Sequence, residues 1–111
     1  DIISYKSSMP IAELAPLLNS RQESAFLVSD DEGAYIGVMP KIYVGEINRQ
    51  NKMDDNIELW MDNHVEYISP NLNIDQIFHL MQDKKLSMVV VKDQDIVLGT
   101  IDRALIKQFV R

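Results

Sequence analysis

Residues 87–105 read SMVVVKDQDIVLGTIDRAL, and residues 24–42 read SAFLVSDDEGAYIGVMPKI. Each stretch is an apolar run, a polar turn with acidic residues, a second apolar run containing glycine, and a helix-like exit. Ser24 to Val28 fall on Ser87 to Val91 at a shift of 63, and Asp30 falls on Asp93 at the same shift. The second turn is one residue shorter, so Gly37 meets Gly99 at a shift of 62. Upstream, Ile11, Leu14, Leu17 and Leu18 fall on Ile74, Ile77, Leu80 and Met81, again at 63. So sustained a register argues for an internal duplication.

Each copy opens with a short apolar stretch of strand character, Ile2–Lys6 or Val65–Ser69, followed by a helix. Apolar residues at 11, 14, 17 and 18, and at 74, 77, 78 and 81, follow the spacing of one helical face, with Asp75, Gln76, His79 and Gln82 opposite. Pro10 suits a helix start and Asn71 or Asn73 a cap, while Pro16 predicts a kink or an early stop. Ala25–Val28 with Tyr35–Met39, and Met88–Val91 with Ile96–Ile101, read as hairpins with largely buried strands. A closing helix carries Tyr43, Val44 and Ile47 in the first copy, and Leu105, Ile106, Phe109 and Val110 in the second.

The expected fold class is α/β, with tandem β-α-β-β-α repeats at 1–50 and 63–111 and a crossing segment at 51–62 that holds Ile57, Leu59, Trp60 and Met61. A copy of about 50 residues is too small to keep a core dry alone, which predicts two small sheets packed together about a pseudo-twofold axis. Trp60 and the six methionines are then filler for the core or the seam.

This order of elements resembles the CBS domain pair, or Bateman module. The family's Pro-Val-Val-Asp strand end appears here as Leu27-Val28-Ser29-Asp30 and Val90-Val91-Lys92-Asp93. The third strand and its exit appear as GVMPKIY (37–43) and GTIDRAL (99–105). In the family a Ser/Thr and an Asp of this exit hold the phosphates and ribose of an adenine nucleotide. Here Pro40 and Asp102 stand at the Ser/Thr position, and Tyr43 and Leu105 at the Asp position. The resemblance implies a ligand site at Met39, Pro40 and Lys41 of one exit and Thr100, Asp102 and Arg103 of the other. AMP, ATP or another adenosyl compound is the ligand it implies. It also implies dimerisation through the closing helices, with Tyr43, Val44, Ile47, Leu105, Ile106 and Phe109 as interface candidates, since apolar surface left over from a thin core marks association.

Composition narrows the remaining classes. Acidic residues number 17 against 11 basic, a net charge of −6, which repels nucleic acid and anionic membrane surfaces. No apolar run reaches the roughly 20 residues of a membrane span, and no signal-peptide pattern opens the chain, so direct membrane insertion is not expected. The absence of cysteine removes disulfide and thiolate chemistry and fits a cytoplasmic location. The chain begins with Asp1, read as the cut end of a longer polypeptide.

The two histidines, His64 and His79, lie on different elements without metal-ligand spacing. Asp30-Asp31-Glu32 and Asp93-Gln94-Asp95 lack the loop pattern of a calcium site and read as turns. Four glycines, at 33, 37, 45 and 99, cannot write a P-loop or a dinucleotide fingerprint, and no serine sits in a nucleophile elbow. No enzyme is expected. Lys84, Lys85, Arg103, Lys107 and Arg111 read as helix-end charges or as an anion site, Arg103 standing nearest the strand exit. The function expected is therefore regulatory: a module of a larger transporter or enzyme that senses a small ligand in the inter-repeat cleft and forms a homodimer. The alternative is a ligand-free dimerisation module whose nucleotide motifs have decayed.

Overall fold

The computed structural model describes residues 2–110. The first half runs β1 (Ser4–Lys6), α1 (Ile11–Leu18), β2 (Ala25–Ser29), β3 (Tyr35–Pro40) and α2 (Tyr43–Arg49). The second runs β4 (Tyr67–Ile68), α3 (Ile74–Asp83), β5 (Met88–Asp93), β6 (Ile96–Asp102) and α4 (Arg103–Ile106), continued by a 3-10 turn at Lys107–Phe109. Each half makes one three-stranded sheet with the hairpin antiparallel and the opening strand parallel to the hairpin's first strand. Even the irregularities repeat, since the hairpin register slips after Val28 in one sheet and after Val91, its counterpart, in the other.

Both faces of the central strands are covered, which is why they read as unbroken apolar runs. In β2, Phe26 and Val28 pack beneath α1 and α2 with Ile11, Leu14, Leu18, Met39 and Ile47. Ala25 and Leu27 point the other way, into a layer shared with Val38, Met88 and Val90 of the two sheets. Val89 faces a third cluster with Ile77, Phe78, Met81 and Ile106. Two helix-sheet cores thus flank one sheet-sheet core, as the duplication predicts. The shared layer contains Leu27 and Val90, the positions where the resembling family carries proline.

Several boundaries differ from expectation. The opening strands are shorter than Ile2–Lys6 and Val65–Ser69, because only three and two residues pair with the neighbouring strand. Leu17 and Ile74, assigned to the buried helical faces, are 46% and 45% exposed. Pro16 gives the early stop rather than a kink: α1 ends at Leu18 whereas α3 runs to Asp83, whose counterpart would be residue 20. Proline has no N–H to offer the carbonyl four residues back, so the helix loses a hydrogen bond there. Asn73, not Asn71, caps α3. Its side chain accepts from the Gln76 N–H at 2.9 Å while the Gln76 side chain accepts from the Asn73 N–H at 2.9 Å, a reciprocal capping box. The second closing helix is a single turn.

The crossing segment belongs to the first core. Ile57 is fully buried there, Trp60 and Met61 pack against it, and Leu59 is 68% exposed. Asp62 exchanges two backbone hydrogen bonds with Val38, at 2.9 and 2.8 Å, so the segment lies along the edge of β3. Gly37 permits this. A Cβ at Gly37 would sit 2.5 Å from the Asp62 carbonyl oxygen and 2.7 Å from the Met61 sulfur, whereas one at Gly99 would meet nothing within 4 Å.

Candidate functional site

Three cavities gather at the seam. A cleft of about 500 Å³ lies between the β1–β2 side of the first repeat and β6 of the second, with Ile2, Ile3, Phe26, Val97 and Leu98 as apolar walls and Thr100 at its lip. Arg21 and Glu23, also in this cleft, pair with each other at 2.5 Å. A cleft of about 310 Å³ is its counterpart, lined by Val38, Lys84, Leu86 and Met88, where the repeat register places Thr100, Arg21, Glu23 and Ala25. The third cavity, of about 550 Å³, is lined by equivalent residues from both copies: Ser24 with Ser87, Lys41 with Arg103, and Ile42 with Ala104. It therefore lies on the internal pseudo-twofold axis.

The candidate ligand residues divide among these places. Lys41, Pro40 and Arg103 line the axial cavity, and Thr100 lines the larger cleft. Met39 is fully buried in the first helix-sheet core and lines none of these three cavities. Strand alternation in β3 turns its side chain toward the helices. Asp102 is 6% exposed and already engaged. Its Oδ2 accepts from the N–H groups of Ser24 at 2.6 Å and Ala25 at 3.1 Å. Its Oδ1 accepts from the Ser24 hydroxyl at 2.8 Å and the N–H groups of Ala104 at 2.9 Å and Leu105 at 3.3 Å. One carboxylate thus caps α4 and latches the first repeat to the second. Nothing in the sequence marks this, because the partner strand lies 78 residues away.

Tyr43, the residue four places after Met39 that follows the β3 exit, donates its hydroxyl to Asp62 at 2.9 Å on the wall of the smaller cleft. That bond, with burial and the neighbouring negative charge, raises the phenol above its ordinary value. His64 and Lys84 line the same cleft, and Glu66 bonds to them at 2.8 Å and 3.1 Å. The His64 hydrogen bond leads in holding this carboxyl below the usual range, outweighing desolvation, with Lys84 adding to it. No cluster of three or more His, Asp or Glu side chains suited to a metal occurs among the described residues. The acidic turn at 30–32 is a turn device, with Asp30 accepting from the N–H groups of Glu32 and Ala34, both at 2.9 Å.

The interface candidates need correction. Ile47 is fully buried and Ile106 is 7% exposed, each inside the helix-sheet core of its own repeat, so neither presents surface to a partner. Tyr43 and Val44 are half-buried against the first core, and Leu105 is half-buried. Phe109 is exposed. Short closing helices lie flat on their sheets and spend most of their apolar side on the core. Arg111 lies outside the described residues.

A duplicated β-α-β-β-α body with paired inter-repeat clefts defines a two-repeat α/β module. The CBS domain profile matches residues 55–110, half of the chain, and the protein belongs to the CBS domain family. No curated protein matches the chain in sequence. Among solved structures, a CBS-domain containing protein of Agrobacterium tumefaciens is 20% identical with a TM-score of 0.82, the match covering 97% of this chain and 83% of that one. A putative signal-transduction protein with CBS domains from Burkholderia ambifaria is 19% identical with a TM-score of 0.82, covering 98% and 82%. A CBS domain pair in complex with 5′-methylthioadenosine and S-adenosyl-L-methionine is 23% identical with a TM-score of 0.79, covering 98% and 87%. At these identities the likeness is one of fold. The chain is a CBS domain pair, and among its described residues no helix is long and apolar enough to cross a membrane.

Proposed function

We propose that this CBS pair is a regulatory, non-catalytic module of a larger cytoplasmic transporter or enzyme, sensing an adenosyl ligand in the inter-repeat cleft and forming a homodimer. The observation that carries this reading is the larger cleft. Its apolar walls, Ile2, Ile3, Val97 and Leu98, suit a purine face, and the open β6 backbone at Gly99 with the Thr100 hydroxyl at the lip suits a ribose. The similar fold that was solved with methylthioadenosine and S-adenosylmethionine supports the same ligand class. Because the cleft has one wall from each repeat, a ligand that favours one spacing of the repeats would shift their relative position and so act on an attached domain.

The smaller cleft is less suited, since Tyr43 and Asp62 occupy each other where a ribose hydroxyl would bind. That pairing and the engagement of Asp102 favour the second reading, a ligand-free dimerisation module. Titration with AMP, ATP and S-adenosylmethionine, followed by thermal shift and by amide spectra, separates the two. The sensor reading expects a rise in melting temperature with shifts at Ile3, Gly99 and Thr100. No change at millimolar ligand, alongside concentration-dependent association, would leave only the dimerisation module.

A further inference from the structure

The axial cavity is built from equivalent residues of both repeats. The internal repeat supplies its template. On the first side, the Ser24 N–H, the Ser24 hydroxyl and the Ala25 N–H all converge on the Asp102 carboxylate. Ser87 and Met88 are the counterparts of Ser24 and Ala25, and the residue that would play the part of Asp102 is Pro40, whose ring has no acceptor. The Arg103 N–H bonds to the Ser87 carbonyl at 2.9 Å just as the Lys41 N–H bonds to the Ser24 carbonyl at 2.8 Å, so the backbone at Ser87 follows that at Ser24. No acceptor among the described residues meets the Ser87 N–H, the Ser87 hydroxyl or the Met88 N–H. By the repeat register, Ser87 and the Met88 N–H stand where the three donors to Asp102 stand in the first repeat, with no carboxylate in place.

Charge around the open cradle agrees. Lys41, Arg103 and Lys107 line the same cavity and none has a carboxylate partner among the described residues; the Lys41 ammonium donates only to the Arg21 carbonyl, at 3.0 Å. Glu23 also lines it, but is balanced by Arg21. With Asp102 adjoining the cavity through Ser24 and Ala104, the three cations still leave a positive excess in a chain of net charge −6, a local reversal of sign. The cradle accepts one carboxylate and the cations call for more, and a volume of about 550 Å³ admits a small metabolite.

We propose that the axial cavity binds a small polycarboxylate, one carboxylate seated on Ser87 and Met88 as Asp102 is seated on Ser24 and Ala25, the others against Lys41, Arg103 and Lys107. This goes beyond the adenosyl reading and does not depend on it: the cavity is a different one, and Met88, which also borders the adenosyl cleft, adjoins the axial cavity through Ser87. The test titrates citrate into isotope-labelled protein, with acetate, inorganic phosphate and AMP as separate arms. Citrate should shift the Ser87 and Met88 amides saturably, and acetate should bind the same amides at least about tenfold more weakly. Pro40→Asp, which supplies the missing carboxylate, should abolish the response. Arg103→Gln, an exposed position outside the strand ladder, should weaken it about tenfold while leaving the fold intact. Absence of shifts at millimolar citrate, an unchanged response in Arg103→Gln, or phosphate binding these amides more tightly than citrate would each overturn the proposal. AMP shifting only Ile3, Gly99 and Thr100 would support the independence of the two sites, and AMP displacing citrate from Ser87 would contradict it.

Discussion

Asp102 of the second repeat accepts hydrogen bonds from both the N–H and the hydroxyl of Ser24 in the first, at 2.6 and 2.8 Å, across 78 residues of chain. With the Ala25, Ala104 and Leu105 N–H groups it serves five donors at a buried position. Removing it orphans donors from both repeats at once. Asp102→Ala should lower unfolding stability by about 2–4 kcal/mol in urea denaturation, and Asp102→Asn by a comparable amount because its amide nitrogen would face donors. A loss below about 0.5 kcal/mol in both variants would mean that the latch is idle.

Two glycines that look alike in the duplicated motif should respond oppositely. Gly37→Ala drives a methyl into the Asp62 carbonyl and the Met61 side chain and should cost upwards of about 2 kcal/mol. Gly99→Ala meets open space and should be neutral or stabilising by up to about 1 kcal/mol, since alanine restricts the unfolded chain. Paired thermal melts of the two variants check this; equal effects would contradict the packing of 57–62 on β3.

Glu66 gives the pH dependence a sign. Its carboxyl is held below the usual range in the folded state, chiefly by His64. A depressed folded value contributes stability at pH above the unfolded carboxylate value, about 4.3, and that contribution fades as pH falls through the folded value. Glu66→Gln should therefore flatten the acid limb of the stability curve below about pH 5. An acid limb of unchanged slope would contradict the assignment.

The α3 capping box should be worth about 1 kcal/mol, read as the loss in Asn73→Ala, with Asn73→Asp retaining most of it. The α1 start has no comparable side-chain cap, because Pro10 stands at the position before Ile11. The same logic predicts faster amide exchange in α1 than in α3, measurable in one hydrogen-exchange series.

The duplication, the hairpins and the buried faces of β2 and β5 were all legible, because each depends on periodicity within a few residues. Asn73 with Gln76 and the early stop after Pro16 belong to the same local chemistry. What was not legible depends on contacts between distant segments. Met39 and Asp102 sit in equivalent-looking strand exits, yet one is turned into a core and the other spans the seam. Ile47 and Ile106 carry the spacing of a free apolar face, but the thickness of the layer beneath them is a tertiary quantity. Leu17 shows the converse, an apolar residue on the expected face that the short α1 leaves in water.

The central claim is that the two repeats share one core and cannot keep separate stabilities, which any cleft-based sensing between them requires. Trp60, the single tryptophan, reports on the first repeat, and the amides of Val89 and Val90 report on the second. Urea unfolding followed at once by Trp60 fluorescence and by loss of the Val89 and Val90 amide signals tests the claim directly. One shared midpoint is the predicted result, and two resolved transitions would contradict it.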